Sequence, residues 1–249
     1  VRSAGVNHVS PFDWIKEDLV LTNSSGVHAK KAGEFGLMSI LMLQNQITRI
    51  VTNQKNKKFV TLFSKPIAGL KVVVVGTGSL GGSMIKHISK LGAEVIGVNR
   101  KGNEVEGCSK VITFDKIDEV LPVADFLYLA VPETEDTIGL INKTRLDSLK
   151  TTCGIVKIGR HSVLDYEALI IKLEKNEIAS AILDVFSHEP ITKDSKIWDT
   201  PNLVITPHIS SDSKGNYIEM VLGIFFKNLK LFIEKKELIV LRKKLRSNI

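Results

Sequence analysis

Hydrophobic positions along the chain switch between two periods. Residues 71–75, KVVVV, form an apolar β-branched run ending at Gly76, the pattern of a strand buried on both faces. Residues 83–91 then place Met84, Ile85, Ile88 and Leu91 at helical spacing, and 94–98 returns to an apolar run. The alternation continues with strand candidates at 111–114, 126–130, 154–157, 180–184 and 203–206. Helix candidates lie between them at 117–121, 136–149 and 164–176. Strands alternating with helices predict an α/β fold of βαβ units, with a mostly parallel, doubly wound sheet. Ahead of it, 31–57 reads as one long helix, and 215–235 as another, each long enough to bridge two domains.

Composition excludes several classes. Of 249 residues, 43% are hydrophobic and 24% charged, enough apolar surface to offset the entropy of ordering and to exclude a fibre or a disordered tail. The longest apolar run, around 35–43, is broken by Gly36 and Ser39, well short of the ~18 residues that span a bilayer. No membrane partner is expected. Cys108 and Cys153 make neither a disulfide framework nor a CxxC metal pair; no metal site is expected, and a reducing, cytoplasmic location is. The chain opens on Val1 without a basic-then-apolar leader, so its natural start is expected to have been removed by processing or truncation.

The formal charge of +7 raises the question of nucleic acid, and its position answers it. Residues 227–246 carry a net +6, and all the others together only +1. Lysines make up 27 of the 34 cations, whereas base edges favour arginine. A solvated helix face and tail accounts for the excess, and no nucleic-acid partner is expected.

Candidate chemistry begins at Gly76-Thr77-Gly78-Ser79-Leu80-Gly81, a GxGxxG that directly follows a buried strand and opens a helix. Gly76 can make the tight turn, Gly78 lets the backbone approach a pyrophosphate, and Gly81 permits close packing of helix on sheet. Ser79 and Leu80 supply helix N-terminal amides. The next strand should end in the group that reads the adenosine ribose, where an Asp or Glu selects NAD(H). Here it ends in Asn99, Arg100 and Lys101. A neutral amide and two cations favour a 2′-phosphate, so NADP(H) is preferred over NAD(H).

The segments downstream resemble the D-isomer-specific 2-hydroxyacid dehydrogenases, in order and over nearly the whole chain. They read VPET at 131–134, TIGLIN at 137–142, VKIGR at 156–160, ILDVF at 182–186 with Glu189-Pro190, WDTPN at 198–202 and TPHI at 206–209. Upstream, Thr22-Asn23, Gly26-Val27 and AGEF at 32–35 resemble the approach to the family's interdomain helix. The resemblance implies a Rossmann-type cofactor domain at 33–214, and an incomplete flavodoxin-like substrate domain from 1–32 and 215–249. It further implies a homodimer and a small 2-oxo or 2-hydroxy acid as substrate.

By the same resemblance, Arg160 grips the substrate carboxylate, His208 is the acid–base group and Glu189 its partner. Asp184 would stand near the nicotinamide carboxamide and Ile158 and Gly159 beside the cofactor. Val131, Pro132 and Thr137 would lie toward the adenosine end. Ala4 and Gly5 fall in a loop whose amides help hold the carboxylate. These types suit the chemistry: guanidinium forks pair with carboxylates, and imidazole moves protons near neutrality. Asn7 stands where the family often has aspartate, and His161 where glycine often follows the arginine. The other histidines and Trp198 read as structural, and Cys153 as inert. Two rival readings stay open: a cofactor-sensing regulatory protein, and an inactive truncated relative that still binds dinucleotide.

Overall fold

The structure, a computed structural model, describes residues 21–212, 215, 217–239 and 241–242. Ala4, Gly5, Asn7 and the end of the basic tail lie outside them. The chain enters through a two-residue strand, β1 (Leu21–Thr22), and two helices, α1 (Ala29–Gln44) and α2 (Ile47–Lys55). Then come β2 (Lys71–Val75), α3 (Ser79–Ile88), β3 (Glu94–Val98), β4 (Lys110–Ile112) and β5 (Phe126–Leu129). The second half contains α4 (Lys143–Asp147), β6 (Gly154–Lys157), α5 (Tyr166–Glu174), β7 (Ser180–Leu183) and β8 (Leu203–Ile205). Last are α6 (Tyr217–Ile233) and β9 (Leu241–Arg242), which pairs antiparallel with β1.

Seven strands, β2 to β8, form one sheet in the order β4-β3-β2-β5-β6-β7-β8, and every pairing is parallel. The order reverses direction between β2 and β5, the switch point where doubly wound sheets bind ligands. Each strand lies within two residues of its sequence expectation. The reason is visible in the packing: Val73 and Val75 enter one core layer with Leu127 and Leu129, while Val72 and Val74 enter the other with Phe126 and Tyr128. Both faces of the inner strands are dry, so β2, β3, β5, β6 and β7 read as continuous apolar runs, whereas the edge strands β4 and β8 are partly exposed. The second layer includes Phe35, Ile40, Met84 and Ile88 of α1 and α3; the first includes Leu146, Leu169 and Leu173 of α4 and α5.

Three helix expectations require correction. The helix expected at 31–57 is two, because Gln46 takes a left-handed backbone, with φ 55°. Its neighbour Asn45 donates from both backbone and side chain to the Leu41 carbonyl, and Gln44 and Gln46 donate to the carbonyls of Lys65 and Phe63. Side-chain amides that bond backbone compete with helix continuation. The helix expected at 136–149 reduces to α4. Gly139 has φ +64°, and Asn142 starts a new helix by accepting a hydrogen bond from the Arg145 amide at 3.0 Å. Residues 117–121 form 3-10 turns, Phe114–Glu119 and Leu121–Val123.

The glycine loop fixes how α3 sits on the sheet. Gly76 has φ +95°, and a Cβ there would come within 2.7 Å of the Ala130 carbonyl oxygen. A Cβ on Gly81 would overlap the carbonyl oxygen of Gly76 itself. Backbone is the obstacle in both cases, so no rotamer change relieves it. Gly81→Ala is expected to destabilise the protein by roughly 1–3 kcal/mol, read as a lower urea midpoint with an unchanged slope.

Candidate active site

Three neighbouring parallel strands deliver the catalytic candidates to one edge of the sheet. Arg160 follows β6, Asp184 and Glu189 follow β7, and His208 follows β8. The glycine loop after β2 and the Ala130–Pro132 turn after β5 open on the same edge.

Glu189 and His208 meet directly, with Glu189 Oε2 2.7 Å from His208 Nδ1. The other carboxylate oxygen accepts the Phe186 amide at 2.7 Å. Burial raises the Glu189 carboxyl, but the Phe186 N–H and His208 outweigh it and hold the group below its ordinary range. His208 itself has a left-handed backbone, φ 54°, and its amide donates to the Asp184 carbonyl at 3.0 Å. Asp184 is fully buried. Its carboxylate accepts the Thr206 hydroxyl at 2.5 Å and the amides of Ile209 and Ser210 at 2.9 and 3.0 Å. Through both backbone and side chain it therefore fixes the turn that carries His208. Its carboxylate is engaged by three donors of the protein.

Arg160 is half-buried, and among the described residues its guanidinium makes no hydrogen bond or ion pair. Gly159 lets it sit there: a Cβ on Gly159 would lie 2.6 Å from the Val131 carbonyl oxygen. Ile158 and Val131 bury their side chains in the two core layers, leaving backbone at the edge. Pro132 is exposed. Thr137 is buried, its hydroxyl accepting the Thr134 amide and donating to the Pro132 carbonyl at 2.7 Å, so it shapes this turn from within.

The loop fits a dinucleotide pyrophosphate. The position a Cβ would take on Gly78 is open, with nothing within 4 Å. Helix α3 has no side-chain cap and no acidic residue in its first turn, so the amides of Ser79 and Leu80 begin an uncapped positive helix end. At the end of β3, Asn99 is largely engaged. Its Oδ1 accepts the amides of Lys101 and Gly102, and its Nδ2 donates to the Thr77 hydroxyl at 3.0 Å. Arg100 is exposed, 3.3 Å from Asp136. Among the described residues no cluster of His, Cys, Asp and Glu is arranged to hold a metal ion, and no helix is long and apolar enough to cross a membrane.

Sequence reasoning missed Lys157 and Tyr166. Lys157 is fully buried at the end of β6, where its Nζ donates to the Val185 carbonyl and the Tyr166 hydroxyl, both at 2.5 Å. Burial pushes its ammonium down to about 7; Asp184 and Glu189 pull it up and Arg160 pushes it further down. A lysine inside the apolar run VKI was the available signal, since lysine is almost never fully buried without partners. A cavity of about 610 Å³ lies beyond Tyr166, lined also by His161, Phe186, His188 and Ile191. His28 bonds the Ser211 carbonyl at 2.9 Å and stacks on Tyr217. Cys153 is buried, its thiol pushed up to about 12 by burial. Trp198 is 44% exposed and donates to the Thr192 carbonyl, so it packs less deeply than a core residue.

Residues 37–210 match the D-isomer specific 2-hydroxyacid dehydrogenase, NAD binding domain. The chain belongs to this family. Among curated relatives of the dehydrogenases it is 30% identical over 217 residues to glyoxylate reductase of Thermofilum pendens, covering 84% of this chain and 64% of that protein. It thus spans just under two thirds of that relative's length. A D-isomer specific 2-hydroxyacid dehydrogenase family protein from Aeromonas salmonicida is 28% identical, with TM-score 0.81, over 96% of this chain and 76% of that one. The family's Xanthobacter autotrophicus Py2 member, in complex with NADPH and MES, shares the fold at TM-score 0.86 and 24% identity, over 96% and 97% of the two chains.

Because Glu189 ionises more readily in the folded chain, its contribution to stability is complete above the ordinary carboxyl range. That contribution is lost as pH falls through its lowered folded value. Glu189→Gln is expected to flatten the acid limb of thermal stability between neutral pH and pH ~3; an equally steep limb in the variant would refute this.

Proposed function

We propose that the protein transfers hydride between NADP(H) and a small 2-oxo or 2-hydroxy acid. The observation that carries this is the 2.7 Å contact of Glu189 with His208 on the sheet edge that also bears Arg160 and the glycine loop. Bound dinucleotide supplies or accepts the hydride. Gly76, Gly78 and Gly81, with the amides of Ser79 and Leu80, would hold its phosphates. Arg160, uncommitted among the described residues, pairs with the substrate carboxylate in a bidentate fork. His208, its Nδ1 turned to Glu189, presents Nε2 to the substrate oxygen and gives it a proton in reduction, or takes one in oxidation. Glu189 fixes the ring's orientation and its tautomer. Asp184 acts chiefly through the 206–210 turn, and Ala4 and Gly5 would complete the carboxylate site.

The preference for NADP(H) over NAD(H) rests on the absence of a carboxylate at the end of β3 and on Arg100, whose exposed partner Asp136 a 2′-phosphate would displace. In this reading 33–214 is the cofactor domain, with 1–32 and 215–249 forming part of a substrate domain. The protein acts as a homodimer; Phe59, Val60 and Phe63 offer an apolar stretch at 105%, 52% and 86% exposure for a second copy to cover. Two free cysteines accord with a reducing, cytoplasmic setting.

Loss of reduced nicotinamide with a panel of 2-oxo acids tests the activity. His208→Ala is expected to lower kcat by roughly 10²–10⁴ with dinucleotide affinity retained. Binding without turnover in the unmodified protein would favour the regulatory or inactive reading. Arg100→Asp is expected to move the NADPH/NADH preference toward NADH by roughly tenfold, worth about 1.4 kcal/mol; an unchanged ratio would overturn the NADP(H) assignment.

A further inference from the structure

One peptide group joins Lys157 to the proton-transfer pair. Its carbonyl end, Val185 O, accepts Lys157 Nζ at 2.5 Å and the Tyr166 hydroxyl at 2.6 Å. Its N–H end belongs to Phe186 and donates to Glu189 Oε1 at 2.7 Å. Glu189 Oε2 then meets His208 Nδ1. The chain of contacts runs from a fully buried ammonium, through a single peptide plane, to one oxygen of a carboxylate whose other oxygen holds the imidazole. Lys157 also donates to the Tyr166 hydroxyl and lies 4.9 Å from the centre of that ring. Donors at a peptide carbonyl polarise the amide and strengthen the hydrogen bond its N–H gives.

We propose that Lys157 is a positioning residue for the acid–base pair, acting on His208 through the Val185–Phe186 peptide and Glu189. The proposal rests on the reading of Glu189 and His208 as that pair. Its direction follows from charge. A cation behind the peptide strengthens the Phe186 bond to Glu189 and makes that carboxylate a weaker partner for the imidazolium. Lys157 therefore lowers the proton affinity of His208, and removing it raises that affinity.

The charged and titratable groups facing Lys157 come from three elements. Tyr166 belongs to α5; Asp184 and Glu189 follow β7; Arg160 and His161 follow β6. The two carboxylates favour the ammonium, whereas burial and Arg160 disfavour it. Both donated bonds need only two hydrogens, so a neutral amine keeps them, and the charge behind the peptide changes near neutral pH without dismantling the contact.

The experiment follows the His208 imidazole by NMR in the intact, ¹⁵N-histidine-labelled protein, with His208→Ala identifying its signals. Lys157→Met keeps an unbranched apolar stem one heavy atom shorter and removes the charge, while the Tyr166 hydroxyl remains as a donor to the Val185 carbonyl. The His208 midpoint is expected to rise by about half a pH unit, roughly threefold in proton affinity, with NADPH affinity unchanged within about twofold. Lys157→Gln, a neutral donor, is expected to give a smaller rise. Tyr166→Phe removes the second donor and is expected to shift the midpoint in the same direction. An unchanged or lowered midpoint in a Lys157→Met protein that melts cooperatively and binds NADPH overturns the proposal; if that variant does not fold, the same result in Lys157→Gln does so. Turnover by the unmodified protein is scored separately, because its absence counts against the dehydrogenase reading and leaves the titration result standing.

Discussion

Parallel pairing with both faces covered constrains the rest of this molecule. A strand in such a sheet can pair with its neighbour only after a crossover, so the carboxyl ends of all seven strands open on one edge. The loops there are freed from packing, while the strands beneath them are locked by it. Arg160, Glu189 and His208, separated by up to 48 positions in the chain, are carried to one edge of the sheet because β6, β7 and β8 are neighbours. The glycine loop joins them by following the central strand β2.

Buried charge is the second organising element. Asp184 and Lys157 are both withdrawn completely from solvent, which is unfavourable unless each finds hydrogen-bond partners. Each finds them in loop backbone: Asp184 in the amides of Ile209 and Ser210, Lys157 in the carbonyl of Val185. The groups that satisfy these charges are therefore the turns that carry His208 and Glu189. Satisfying the core and positioning the site are one set of contacts.

How much was legible depended on the range of the interaction. The five inner strands could be read because burial on two faces leaves a local mark, a run of apolar residues, and the partly exposed edge strands β4 and β8 by their place in the alternation. The glycine loop could be read because strand, GxGxxG and helix are contiguous. The break at Gln46 and the shortening of 136–149 to α4 escaped a reading by period, because each is decided by side-chain amides or a glycine acting on nearby backbone. The catalytic candidates were reached by resemblance in ordered segments, since a lone Arg, Glu or His carries no local sign of its partner.

The sequence by itself determined the class of fold, the place of the phosphate loop and the absence of a carboxylate after β3, all properties of short stretches. Only the tertiary structure decided that Asp184 is engaged by the turn bearing His208, that Asn99 is held by its own loop, and that Lys157 lies sealed behind Val185. These depend on contacts between residues as far apart as 28 positions for Lys157 and Val185. The physical reason is that a buried polar group is satisfied by whatever backbone the crossovers bring beside it, and no period along the chain records that meeting.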